Sequence, residues 1–200
     1  MAMVWPTGLD VDGYVAAGRG VVVPRQCCPG CGQPMMFWGW YERDLRVSAV
    51  AIRRVLIRRA RCGDCVVTHG LLPGFVTWGR LDAVEVIGPA IEAMCGGVGM
   101  RRVAAGLDLA HTTVRDWRRS FSRRAALLAV GLCRFVVAVG DLAPRLSGAA
   151  ETVALAAARA AWETARRRFG VEVGGLWRAV NAVVGGHVLS TNTDPPWAAR

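Results

Sequence analysis

Apolar and polar positions follow two rhythms along this chain, and the change of rhythm divides it. Between positions 36 and 68 the pattern is that of strands. Met36-Phe-Trp-Gly-Trp-Tyr41 is aromatic, residues 53–61 are rich in β-branched side chains and arginine, and Val66-Val67-Thr68 is a further short candidate. Residues 71–79 are punctuated by proline and glycine and predict a connector. A helical period then begins, with Leu81, Val84, Ile87, Ile91 and Met94 three or four apart. Pro89 interrupts it as a kink or a new start, and Gly96, Gly97 and Gly99 end it. Residues 123–139 read as an apolar helix, 141–148 as a break, and 149–169 as an alanine-rich helix. Arg166, Arg167 and Arg168 suit the C-terminal end of that helix, where cations complement its dipole. Residues 177–184 read as a last short helix and 192–200 as a tail.

Residues 100–119 have a logic of their own, that of a helix-turn-helix. With Met100 as position one, Ala104 at five is small enough for two helices to approach, and Leu107 and Leu109 supply packing. Val114, Trp117 and Phe121 then face the core from one side of the second helix. The turn carries Asp108 where glycine is usual, and Asp tolerates the left-handed conformation better than most residues. Ala110 stands where a Ser or Thr N-cap is expected, so His111 or Thr112 would cap and shift the helix start. The outward side of such a second helix enters the major groove, its N-terminal residues nearest the base edges. The candidate DNA contacts are Arg101, Arg102, His111, Thr112, Thr113, Arg115, Asp116, Arg118 and Arg119. Arginine binds guanine in bidentate fashion and threonine contacts bases or phosphate.

Seven cysteines add chemistry. Cys28-Pro-Gly-Cys31 and Cys62-Gly-Asp-Cys65 are two pairs with the same spacer. Two residues between thiolates let a tight turn aim both sulfurs at one ion, and two such knuckles complete a four-cysteine zinc site. The expected cofactor is one structural Zn2+, held by Cys28, Cys31, Cys62 and Cys65. Cys27 adjoins the first ligand and can substitute for Cys28, although the two-residue spacer favours Cys28. Val66 stands where the second knuckle would more usually carry glycine. His69 reads as an ordinary residue, and Cys95 and Cys133, in apolar helical contexts, as core thiols. Phe37, Trp38, Trp40 and Tyr41 have the chemistry to stack on bases, but a metal-stapled module needs a small core and they are expected to form it.

Composition sharpens this picture. The chain has 200 residues, 53% of them hydrophobic, with a formal net charge of +10. That apolar fraction excludes disorder throughout. The most apolar stretch, residues 125–140, is broken by Arg134, and a spanning helix needs about 20 apolar residues. No basic segment followed by an apolar one marks the N-terminus as a secretory signal. All 25 cations are arginine, consistent with GC-rich codons. Their placement is not explained that way. Residues 81–100 hold no arginine and three acids, whereas residues 101–124 hold seven arginines and two acids. Residues 43–61 hold another seven arginines and one acid. Such patches attract phosphate backbones by counterion release.

Three stretches carry a family resemblance: CCPGCGxxMxxWGWYxR, IRRARCGDCxxTHGLLPGFV and GMRRVAAGLDLAHTTVRDWRRSF. Over about residues 25–125 the chain resembles the zinc-ribbon and helix-turn-helix front end of insertion-sequence transposases. It resembles more closely a bacterial family of short zinc-ribbon/helix-turn-helix proteins of unknown function. The resemblance implies DNA binding with a structural zinc, and no catalysis. The residues agree, because the five acids after position 125 are too few and too helical in context for a metal-dependent nuclease.

The expected fold is therefore mainly α with a small β zinc ribbon at the N-terminus, a helix-turn-helix core and C-terminal helices. The expected organisation is an N-terminal extension (1–24), a zinc-ribbon domain (25–79), a helix-turn-helix domain (80–125), a C-terminal helical region (126–190) and a tail (191–200). The expected function is that of a non-enzymatic DNA-binding protein, a transcription regulator or a transposase-derived protein. Its partner would be double-stranded DNA, with no membrane and with a homodimer compatible with half-site reading. Its location would be cytoplasmic and nucleoid-associated. The alternative is a protein-interaction adaptor or a targeting subunit for a separate recombinase.

Overall fold

The structure, a computed structural model, describes residues 2–170 and 173–189. The tail predicted over 192–200 lies outside the described residues. Four strands form one mixed sheet: β1 (Ala2–Trp5), β2 (Met36–Ser48), β3 (Ala51–Arg61) and β4 (Thr68–Pro73). Their order is β1-β4-β3-β2. β3 runs antiparallel to both β2 and β4, whereas β1 pairs parallel with β4, Ala2 opposite Gly70 and Trp5 opposite Pro73.

This corrects the expected fold class. The protein is not mainly α with a small N-terminal ribbon, but an α+β fold whose sheet occupies its first half and draws in the N-terminal segment. Four residues of apolar strand carry too little pattern to be read alone. Their partner lies 66 or more positions away, where the Trp5 indole N–H donates to the Leu71 carbonyl at 3.3 Å. α1 (Val11–Ala17) follows, capped by Asp10, whose carboxylate accepts from the Gly13 amide at 2.7 Å. Its Tyr14 is fully buried and donates its hydroxyl to the Leu56 carbonyl of β3 at 2.9 Å. β4 also departs from expectation. It takes in Leu71, Leu72 and Pro73 of the predicted connector and leaves Val66 and Val67 to the knuckle.

The helices are α2 (Val84–Cys95), α3 (Met100–Gly106), α4 (His111–Ala138), α5 (Ala150–Phe169) and α6 (Leu176–Val183). Leu81 is outside α2, because Asp82 pairs with Arg46 of β2 in an extended conformation. Pro89 is exposed and α2 runs through it. Four helices end alike, with a left-handed residue followed by an amide that bonds back to the carbonyl five positions earlier. Val98 N–H reaches the Ala93 carbonyl, Leu109 reaches Ala104, Asp141 reaches Val136 and Gly186 reaches Asn181. The left-handed position is Gly97, Gly140 and Gly185 in three of them and Asp108 in the fourth, at φ 50°.

α4 absorbs the helix predicted separately over 123–139. The Arg118 guanidinium meets Glu151 at 2.9 Å, and Asp141 just beyond α4 meets Thr164 and Arg167 near the end of α5. Start meets start and end meets end, so α4 and α5 run parallel, and residues 139–149 form the return between them. α6 closes onto both layers. Trp177 lies on α2, and the Asn181 side-chain amide donates to the Gly74 and Val76 carbonyls at 2.8 and 3.0 Å. One apolar core is continuous from Trp5 through Leu45, Ile57, Ile87 and Trp117 to Leu189. No helix among the described residues is long and apolar enough to cross a membrane.

Candidate metal centre and nucleic-acid interface

The two knuckles are built alike. In the first, the Cys28 amide donates to the Gln33 carbonyl at 2.8 Å; in the second, the Cys62 amide donates to the Val67 carbonyl at 3.0 Å. Each places a left-handed residue directly after its second cysteine, Gly32 at φ 76° and Val66 at φ 57°. Val66 thus occupies the position where glycine is the usual residue. β3 leads straight into Cys62 and β4 straight out of the second knuckle, so the hairpin ends set the two turns face to face.

The sulfurs of Cys28, Cys31, Cys62 and Cys65 all lie within 4.8 Å of one another. Cys31 and Cys62 are 3.4 Å apart and Cys28 and Cys65 are 3.9 Å apart. A tetrahedral ion about 2.3 Å from each sulfur sets S···S edges of about 3.8 Å, so the cluster has the dimensions of such a site. Cys27 is not part of it. It is exposed and bridges to Pro34, which resolves the choice of first ligand in favour of Cys28.

Local electrostatics fit the same purpose. The Gly30 amide draws the Cys28 thiol down to about 7 against the effect of burial. Gly30 itself approaches the sulfurs of Cys65 and Cys28 closely enough that a Cβ there would touch both. The Cys65 thiol is pushed up to about 12, first by the Cys31 sulfur and then by Cys28. Four sulfurs this close resist a shared negative charge unless a cation compensates it. His69 stands outside the cluster, in β4 opposite Ala60, almost fully buried, with neither ring nitrogen hydrogen-bonded. Burial lowers its pKa.

The aromatic run is not core. Met36 is 69% exposed and Trp38 57%, and Phe37 and Tyr41 are also exposed, while Trp40 is partly buried. β2 is the edge strand of the sheet, so no further strand covers its outer side. Guanidinium groups lie over these rings: Arg58 is 4.4 Å from the Phe37 centroid and 4.7 Å from that of Trp40, and Arg61 is 4.8 Å from that of Trp38. A signal for this exposure existed, since consecutive apolar residues in a strand point to both faces.

The predicted DNA contacts lie on α3 and the first turns of α4. Ala104, Val114, Trp117 and Phe121 are buried. Arg101, Arg102, Thr112, Asp116 and Arg119 are exposed, and His111, Thr113 and Arg115 are intermediate. Ala110 is the N-cap residue of α4 and no side chain caps it, so the helix starts at His111 and neither His111 nor Thr112 serves as the cap. Arg115 is 3.7 Å from its neighbour Asp116. Arg118 is held by Glu151 and by the Ser122 hydroxyl, both at 2.9 Å, and so ties α4 to α5. Thr112, Asp116, Arg119 and Arg123 recur every three or four residues along the exposed side of α4.

Residues 28–117 match the profile of a domain of unknown function, DUF6431. The match spans both knuckles, the hairpin and the helices up to Trp117. No curated protein and no solved structure matches the chain.

Proposed function

We propose that this protein binds double-stranded DNA through α3 and the N-terminal half of α4, and that one Zn2+ on Cys28, Cys31, Cys62 and Cys65 holds its sheet end in shape. One observation carries the reading. Among the described residues, Arg101, Arg102, Arg119 and Arg123 form no ion pair and are exposed, whereas most arginines of the preceding basic run have partners. Unpaired exposed cations on two short-linked helices offer a polyanion a contact that costs no existing ion pair. Thr112, Thr113, His111, Arg115 and Asp116 at the start of α4 would face base edges, and Arg101 and Arg102 the phosphates. Arg118, bound to Glu151, would support the helix rather than touch DNA.

Zinc is the metal this donor set suits, because four thiolates in tetrahedral array form a closed structural site with no open position. The reading is that of a regulator, or of a transposase-type recognition module without a nuclease, acting where the DNA is. Selection from a random duplex library, followed by gel shifts with Arg119→Ala and Arg115→Ala, tests it. Enrichment of a site and weaker binding by both variants are expected. If no duplex is bound at moderate salt, the proposal fails.

A further inference from the structure

The hairpin of β2 and β3 holds a second basic surface, and its charge is unevenly committed. Seven arginines lie in residues 43–61. Towards the turn they have partners: Arg46 pairs with Asp82, Arg53 with Asp12, and Arg54 with Asp44. Arg43 donates to the carbonyls of Thr77 and Arg80. Towards the metal knuckles Arg58, Arg59 and Arg61 have no acidic partner among the described residues. Two of these three lie on aromatic rings instead, and the Arg58 Nε is buried without a hydrogen bond. Register places Arg61 opposite Met36 and Arg58 opposite Trp40, with a bulge between residues 37 and 39 that turns Trp38 outward.

From this we infer that the knuckle end of the β2–β3 edge binds single-stranded nucleic acid. Unpaired bases would stack on Trp38, and Arg59 and Arg61, two apart on β3 and so on one face with it, would neutralise phosphates, while Arg58 packs on Phe37 and Trp40. The two chemistries present, aromatic faces and uncompensated guanidinium groups, match the two a single strand offers and a duplex does not. A duplex hides its base faces, whereas a single strand presents one per nucleotide beside each phosphate. A second protein copy would bring the same arginines and repel them. The surface is separate from α3 and α4, so this inference stands or falls independently of the duplex reading.

The test uses the full-length zinc-loaded protein and a fluorescein-labelled oligothymidylate of about 12 nucleotides, within the site size of such surfaces. Anisotropy should show salt-sensitive binding with quenching of tryptophan fluorescence. Trp38→Ala should weaken it roughly 5- to 100-fold, and Arg61→Ala should weaken it and flatten the salt dependence. Both should keep the metal content and the duplex affinity of the parent, while Arg119→Ala should leave oligothymidylate binding unchanged. Trp38→Leu keeps an apolar side chain without the stacking face and should lose binding as Trp38→Ala does. Absence of oligothymidylate binding at low salt overturns the inference. So does unchanged affinity in Trp38→Ala, or self-association abolished by Trp38→Ala in a protein that binds no single strand.

Discussion

Trp177 of α6 lies against the bare Cα of Gly88 in α2: a Cβ at position 88 would sit 2.0 Å from the indole Cγ. The indole cannot retreat freely, because it is buried and its Nε1–H donates to Glu92 at 2.6 Å. Glu92 also meets Arg159 of α5 at 3.3 Å. One missing side chain thus lets α2, α5 and α6 converge.

Gly88→Ala should therefore destabilise the protein, although alanine is the better helix former by about 1 kcal/mol. Overpacking of this severity should cost about 2 kcal/mol or more in net stability. A urea unfolding curve of the zinc-loaded protein, compared at equal slope, measures it. A variant as stable as the parent would mean that the indole moves.

The two left-handed non-glycine residues make the opposite prediction. Val66 is 61% exposed at φ 57° and Asp108 sits at φ 50° in the α3 closing motif. An L-residue there costs roughly 1–2 kcal/mol, which glycine avoids at some entropic cost. Val66→Gly and Asp108→Gly should each raise stability by up to about 1 kcal/mol, and Gly32→Val should lower it. Thermal melts of the three variants decide the signs.

Metal analysis of purified protein should find about one zinc per chain, the stoichiometry of a single four-cysteine site. Cys62→Ser should lose the metal and the hairpin's protection in hydrogen exchange, and Cys27→Ser should lose neither. Because the ligands must be deprotonated, metal affinity should fall as pH is lowered. Titration against a chromophoric chelator at two pH values reads this directly.

His69 predicts a second pH effect. Its folded pKa lies below the unfolded value near 6.5 because burial disfavours the charged ring. Above that value the ring is neutral in both states and contributes no pH dependence. As pH falls below it, the unfolded chain takes up a proton that the folded chain does not, so stability is lost progressively. His69→Leu should remove that part of the acid slope and, with no hydrogen bond to lose, should cost little at about pH 8. Denaturation midpoints at about pH 8, 6.5 and 5.5, a range that brackets the unfolded histidine, give the comparison while zinc retention is monitored.

Arg118 and Arg119 should separate fold from binding. Arg119→Ala should weaken duplex binding and lower the salt slope by about 1. Arg118→Ala should cost stability, of the order of 1 kcal/mol for a partly buried pair, and leave that slope unchanged. Equal effects of the two on the slope would show that the Glu151 pair opens on binding.

The four-cysteine cluster is legible in the sequence because a knuckle is a local object. Two sulfurs, one turn and the amides that support them belong to one short stretch of chain, and their spacing alone dictates where they point. The same holds for the buried side of α4, where Val114, Trp117 and Phe121 repeat at helical spacing, and for the α3 turn, whose left-handed Asp108 is the residue type such a position tolerates. These features need no distant partner.

Others do, and only the tertiary structure decides them. β1 becomes a strand only because β4 offers its edge to a segment 66 residues earlier. Arg118 reads as one more basic side chain until Glu151 arrives from a parallel helix. The aromatic run on β2 fits a core as well as a surface, and only the packing around the sheet decides it: Leu45 of the same edge strand is buried, whereas Met36 and Trp38 lie exposed. Backbone geometry over a few residues follows from local sterics, whereas exposure and charge pairing depend on which remote segment packs alongside.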